Sequence, residues 1–340
     1  MHAVPRPACP LCGDTGRLAY QAQRDRLFVA PGEWDLKLCS KLGCGVLWLD
    51  PAPAVEDLGQ AYAGYYTHAV RVLDAEKSLL RRLYRAAWRA YLFREYGYRF
   101  DAEERLALGG RLLRLLPLRS LQIDQEVRFL SAAPGARLLD VGCGSGEWLG
   151  FMRALGWDVV GLDFDEEAVR VGAGRGLVVH CGKLEEQNFA TDSFDAVTIN
   201  HVIEHLPDPA AALRECARIL RPGGRLVVST PNASGLGHRL FGRDWRGLEP
   251  PRHLQVFTLD ALENAVAQEG FRVEAIRPQL ADTILYESFL LRSGRLGPFQ
   301  TSPKRQPLWA IARLLATIEV LLFRWRPRLA DSVTLLATPS

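Results

Sequence analysis

Five short apolar runs recur through the middle of the chain, each closed by a polar or glycine-rich turn and most followed by a segment of helical period. Arg137-Leu-Leu-Asp-Val141 predicts a buried parallel strand, and Glu147 to Leu155 predicts the helix after it. Val159 to Asp163, Leu177 to His180, Ala196 to Ile199 and Arg225 to Ser229 repeat the strand signal. Strands alternating with helices predict an α/β fold around a mostly parallel sheet. Asp165, followed by Glu166 and Glu167, predicts a helix N-cap with an acidic first turn, and Asp208 before Pro209 predicts another. Leu220-Arg-Pro-Gly-Gly224 predicts the turn out of that second helix.

The flanks carry a different pattern. Residues 57–130 predict a helical segment. Arg81, Arg82, Arg85 and Arg89 fall at helical spacing with Leu83, Tyr84 and Trp88, which predicts a solvated basic face over an apolar stripe. The rival expectation is a face for RNA or anionic lipid headgroups. Leu308 to Trp325 is apolar but interrupted by Arg313, Glu319 and Arg324, too charged for a spanning helix. It predicts a helix packed on the core or on a second copy in a homodimer. Lying on a membrane surface with Arg324 to Arg328 at the headgroups is the alternative. Ser332 to Ala337 predicts a last strand. The expected divisions are 1–56, 57–130, 131–281 with 331–340, and a helical insertion over 282–330.

Between the first strand and its helix lies Asp140-Val-Gly-Cys-Gly-Ser-Gly146. A dinucleotide fingerprint places its third glycine where this chain has Glu147, an acid that would repel a pyrophosphate at the helix N-terminus. No Gly-Lys-Ser/Thr follows, so a P-loop is excluded. Acids on both sides of the loop suit a ligand carrying positive charge and no phosphate, such as the sulfonium and ammonium of S-adenosylmethionine (SAM).

The run from Asp140 to Gly146 resembles motif I of the class I SAM-dependent methyltransferases, and Arg218 to Asn232 is similar to the same family. The resemblance covers about residues 130 to 280 and is nearest to bacterial small-molecule and glycan enzymes, some with an N-terminal zinc segment. It implies a Rossmann-like doubly wound sheet of order 3-2-1-4-5-7-6 whose last strand returns antiparallel beside Phe271 to Ile276. It implies SAM contacts at Asp140, Gly142, Cys143, Gly144 and Gly146. Asp163 would hold the ribose hydroxyls, since a carboxylate accepts two hydrogen bonds from a diol. Phe164, Gly182, Lys183 and Leu184 would border the adenine, and Asn200 the methionine part.

Methylating a hydroxyl needs positioning and a base near neutral pH, for which histidine fits. His201 and His205 follow the fourth strand, with Glu204 beside His205 in a pair common in ubiquinone-type O-methyltransferases, and His253 lies in a later loop. The Asn-Pro-Pro-Tyr/Phe signature of base-amino methyltransferases is replaced here by Asn200-His-Val-Ile, which disfavours an exocyclic amine as acceptor. In the same loop as His253, Trp245 is expected to stack on a substrate ring and Arg252 to bind a phosphate or carboxylate. Tyr62, Tyr65, Tyr66 and His68 are expected to border the pocket.

Cys9-Pro-Leu-Cys12 and Cys39-Ser-Lys-Leu-Gly-Cys44 form two knuckles separated by 26 residues, a set suited to structural zinc. The chain has 340 residues, 48% hydrophobic and 24% charged, so an ordinary globular protein is expected. A formal charge of +3 gives no global field calling for nucleic acid. The opening residues lack an apolar run, so no leader is expected and the location is expected to be cytoplasmic, with peripheral membrane contact as the variant. The expected activity is methyl transfer to a hydroxyl of a small polar acceptor: a sugar, glycan or natural-product intermediate. The rivals are an RNA methyltransferase and a non-catalytic SAM-binding or membrane-scaffold protein.

Overall fold

The computed structural model describes residues 1–62, 79–100, 107–294 and 307–340. Its short N-terminal strands are β1 (Ala3–Val4), β2 (Arg17–Gln23), β3 (Trp34–Leu38), β4 (Leu47–Leu49) and β5 (Ala52–Pro53). Three helices follow: α1 (Leu79–Tyr96), α2 (Ala107–Arg114) and α3 (Pro117–Glu126). The alternating region comprises β6 (Arg137–Val141), α4 (Glu147–Ala154), β7 (Asp158–Asp163), α5 (Glu166–Gly174), β8 (Val178–Cys181), β9 (Phe194–Asn200), α6 (Pro209–Ile219) and β10 (Leu220–Pro231). Then come α7 (Leu236–Phe241), β11 (Gln255–Val256), α8 (Leu259–Gln268), β12 (Phe271–Pro278), α9 (Asp282–Arg292), α10 (Pro307–Leu322) and β13 (Ser332–Pro339).

The large sheet has seven strands in the order β12-β13-β10-β9-β6-β7-β8. Renumbered along the alternating region, this is the expected 3-2-1-4-5-7-6 order. β6, β7 and β8 pair in parallel, as do β9 and β10. β13 runs antiparallel to both β10 and β12, so the chain's last strand closes the sheet as expected.

Two compact units emerge, residues 67–181 and residues 1–66 with 182–340. In the first, Leu138, Leu139, Val160 and Leu162 are buried on the strands, and Leu149 and Met152 on α4. Runs with almost no polar interruption are what a strand covered on both faces requires. Asp165 caps α5, its carboxylate accepting from the Glu167 and Ala168 N–H groups. In α1 the expected apolar stripe differs: Leu83 and Tyr84 are exposed, while Ala86, Ala90 and Tyr91 are buried. The reason is a close helix crossing. A Cβ on Gly110 of α2 would lie 2.9 Å from the Ala90 and Tyr91 backbone, so only small residues fit at the contact.

In the second unit, β11, β4, β3 and β2 form a four-stranded sheet, so a strand from late in the chain completes the N-terminal one. Asp208 caps α6 through the Ala211 N–H, with Pro209 at the first helical position. α10 turns Ala312, Ala316 and Glu319 inward and leaves Ile311, Leu314, Ile318 and Leu321 exposed. Among the described residues, no helix is long and apolar enough to cross a membrane.

Candidate active site

The glycine loop is shaped by its backbone. Gly142, Gly144 and Gly146 all adopt left-handed φ values, +73°, +53° and +72°, a region that an L side chain enters at a cost of about 1–2 kcal/mol. At Gly146 a Cβ would also lie 2.5 Å from Leu177 Cδ1. The loop is tied to the end of β7, where Leu162 O accepts from the N–H groups of Gly142 (2.7 Å) and Cys143 (3.1 Å).

Asp163 closes this corner. Its Oδ2 accepts from the Gly144 N–H at 2.8 Å and its Oδ1 from the Asp165 N–H at 3.0 Å. Burial pushes the carboxyl up, and these two N–H groups pull it back. Each oxygen retains lone-pair capacity. Asp140 is 1% exposed and pairs with Arg128, whose guanidinium also stacks 3.5 Å from the centroid of Trp148. Nothing in the residue spacing signals Arg128 as the partner of Asp140. Phe164 is 53% exposed.

In the other unit, Gly182 takes φ +115°, Leu184 is buried, and Lys183 pairs with Glu186 at 3.4 Å on the surface. Asn200 ends β9. After it, His201 has φ +55° and hydrogen-bonds Gln279 Oε1 through Nε2 at 2.8 Å.

The turn Ile203–His205 is fastened to residues 252–255. The Leu254 N–H donates to Glu204 O at 2.9 Å, and the Gln255 amide donates to Ile203 O and Leu206 O at 3.1 and 2.8 Å. This brings Glu204, His205 and His253 together, with the two imidazole centroids 4.7 Å apart. His205 Nδ1 lies 2.9 Å from Arg252 O and 3.0 Å from Tyr62 Oη. His253 Nδ1 lies 2.8 Å from Gly247 O. A carbonyl only accepts, so each Nδ1 carries a proton. Burial pulls His253 down to about 4, against the opposing pull of Glu249, and it is neutral at pH 7. Glu204 is fully buried; burial pushes its carboxyl up, and His201, His205 and His253 outweigh that to hold it at about 2.

Two residues differ from the substrate-facing placement expected of them. Trp245 is 1% exposed, packs against His238 and donates its indole N–H to Asp331. Arg252 is also 1% exposed and binds Asp25 Oδ2 at 2.8 Å, Glu249 Oε1 at 2.7 Å and the Ala61 carbonyl at 2.9 Å. The loop carrying them folds inward because Arg246, Glu249, Arg252 and Asp25 neutralise one another; of the four, only Arg246 and Arg252 are visible in the loop sequence as cations seeking partners. Tyr65, Tyr66 and His68 lie outside the described residues.

The four N-terminal cysteines converge. Cys9 and Cys44 sulfurs are 3.8 Å apart, Cys12 and Cys39 sulfurs 3.3 Å, and all four lie within 4.8 Å of one another. These separations exclude disulfides, whose sulfurs sit about 2.05 Å apart. Four thiols so placed match a tetrahedral thiolate site.

Residues 116–276 match a family model described as a methyltransferase domain. A ubiquinone biosynthesis O-methyltransferase of Xanthomonas oryzae is 46% identical over 122 residues, 34% of this chain and 51% of the relative. One of the same name from Alkalilimnicola ehrlichii is 35% identical over 130 residues, 36% of this chain and 53% of the relative. The chain thus spans about half the length of the curated relatives it matches. A SAM-dependent methyltransferase from Mesorhizobium loti overlays with TM-score 0.45 at 18% identity, covering 64% of this chain and 97% of that one. The segment 116–276 of this chain is thus similar to methyltransferase domains.

Proposed function

We propose that the chain transfers the methyl group of SAM to an oxygen of a small polar acceptor. The observation that carries this reading is the corner of Asp163, held by the Gly144 and Asp165 N–H groups beside three left-handed glycines. A carboxylate so oriented receives the ribose diol, and the open loop lets a ligand approach the backbone. The matched relatives, named O-methyltransferases, support oxygen as the acceptor atom.

When bound, SAM supplies an electrophilic methyl, and the protein's share is orientation and proton removal. His205 is the base in this reading: its Nδ1–H is fixed by the Arg252 carbonyl, leaving Nε2 to take the acceptor's proton. Glu204 holds that imidazole electrostatically, and His253 backs it. The acceptor is a hydroxyl of a sugar, glycan or natural-product intermediate. An intermediate of ubiquinone biosynthesis is the second class, favoured by the relatives' names. The cysteine quartet holds structural zinc, closing its shell with four sulfurs and leaving no metal-bound water.

Labelled SAM added to a cell extract, then resolved into small polar, lipid-linked and RNA fractions, tests the reading. Label in the polar or lipid-linked fraction is the expected outcome. Label confined to RNA, or no label with SAM bound, refutes it.

A further inference from the structure

We propose that Tyr62 is a positioning residue for His205: its phenol oxygen shares the Nδ1–H with the Arg252 carbonyl and fixes the imidazole at a second point. The contact itself stands on geometry. Its consequence for proton removal rests on the methyl-transfer reading above.

Two oxygens face one ring nitrogen. Arg252 O lies 2.9 Å from His205 Nδ1, and Tyr62 Oη lies 3.0 Å from the same atom. The carbonyl only accepts, so Nδ1 carries a proton, and an imidazole nitrogen has one hydrogen to give. The phenol therefore meets that hydrogen with a lone pair, and the bond has three centres. A single hydrogen bond leaves a ring free to pivot about the line from donor to acceptor. A second acceptor off that line removes the pivot. The neighbouring rings act in the same sense: Tyr62 and His253 both meet His205 edge-on, with centroids 6.0 and 4.7 Å away.

The phenol is itself placed by the buried charge cluster. Tyr62 ends the helical turn Val55–Tyr62, and the carbonyl just before it, Ala61 O, accepts from Arg252 Nη1 at 2.9 Å. The same nitrogen donates to Asp25 at 2.8 Å. Asp25 in turn accepts from the N–H groups of Leu27, Phe28 and Ala30, each at 3.0 Å. Arg252 thus sets both contacts of the imidazole. Its main-chain oxygen acts directly, and its guanidinium acts through Ala61 and Tyr62. A side chain that is 0% exposed, and so closed to a substrate, still reaches the site in this way.

The arrangement bears on the chemistry. When Nε2 of His205 takes a proton, positive charge spreads over the ring and the Nδ1–H becomes a stronger donor. Hydrogen bonds to the charged form favour it, so two oxygens aimed at that hydrogen make the imidazole a better base. Removing one of them weakens the base and loosens its aim while leaving Nε2 in place.

NMR of the full chain carrying isotope-labelled histidine reads the contact without any acceptor, with His205→Asn to assign the signal. The expected wild-type result is a protected, downfield Nδ1–H from His205. In Tyr62→Phe that signal should move upfield and exchange with water about tenfold faster, at an unchanged melting temperature. A wild-type protein lacking the protected signal overturns the contact, whatever the variant does. So does a variant whose signal and exchange match the wild type. Label transfer from SAM into the polar or lipid-linked fraction of a cell extract reads the consequence. Tyr62→Phe should lower its rate at saturating SAM about tenfold, with KM for SAM within about twofold, a part of what a general base contributes. A full rate beside an altered N–H signal overturns the positioning role. An altered signal in a protein that transfers no methyl group, wild type included, upholds the contact and refutes the methyl-transfer reading.

Discussion

The glycine loop at residues 140–163 and the charged cluster around His253 reach order by opposite routes. In the loop, geometry is fixed by backbone: three glycines, two amides on the Leu162 carbonyl, two on Asp163. In the cluster, it is fixed by side chains from distant parts of the chain, Asp25, Tyr62, Glu204, Glu249 and Arg252. A backbone-built corner tolerates change in most side chains but not a Cβ in the wrong place. A side-chain-built cluster tolerates neither removal nor neutralisation of a member, because buried charges are stable only as a set.

The largest effect should come from breaking that set. Arg252→Met leaves Asp25 and Glu249 with reduced compensation, and denaturant unfolding should show a loss of about 3–5 kcal/mol. A loss under about 1 kcal/mol would show that the cluster is not cooperative. Next is a buried pair of carboxyls, Glu319 and Asp331. Asp331 is raised to about 7 by burial, and Glu319 to about 9 by burial and by Asp331. Both folded values lie above the unfolded ones, so the native state binds more protons and stability falls as pH rises from about 4 through 9. Glu319→Gln should raise the melting temperature at pH 9 and flatten the upper part of the profile. An unchanged profile would remove the pair from the account.

In the loop, Gly146→Ala should destabilise by about 1–3 kcal/mol, from the left-handed φ and the approach to Leu177. Asp163→Asn should weaken SAM binding about tenfold in calorimetry while shifting stability by less than about 1 kcal/mol. Equal affinity would dismiss the diol role. Smallest of all, Arg272→Ala removes an exposed pair with Glu274 and should stay within about 0.5 kcal/mol. It serves as the control for the first.

The same contrast sets what was legible in the sequence. Strand order, both caps, the loop and the cysteine quartet follow from residues close together in sequence, or from a resemblance anchored on them. Arg128 was not legible as the partner of Asp140, because nothing in spacing says which of 37 arginines turns inward. Trp245 and Arg252 read as surface-seeking polar and aromatic groups. Their burial depends on Asp331 and Asp25, which no local pattern connects to them, as well as on Glu249, three residues before Arg252. For α1, helical period predicted the right element but the wrong face, since the contact is set by Gly110 on another helix.

The stacking of Arg128 on Trp148 has an optical consequence. The guanidinium sits 3.5 Å from the indole centroid, in the first turn after the glycine loop, while also paired to Asp140. Indole emission responds to the field across its ring. A ligand that alters the charge balance at Asp140 therefore changes the light from Trp148, and the loop carries its own fluorophore.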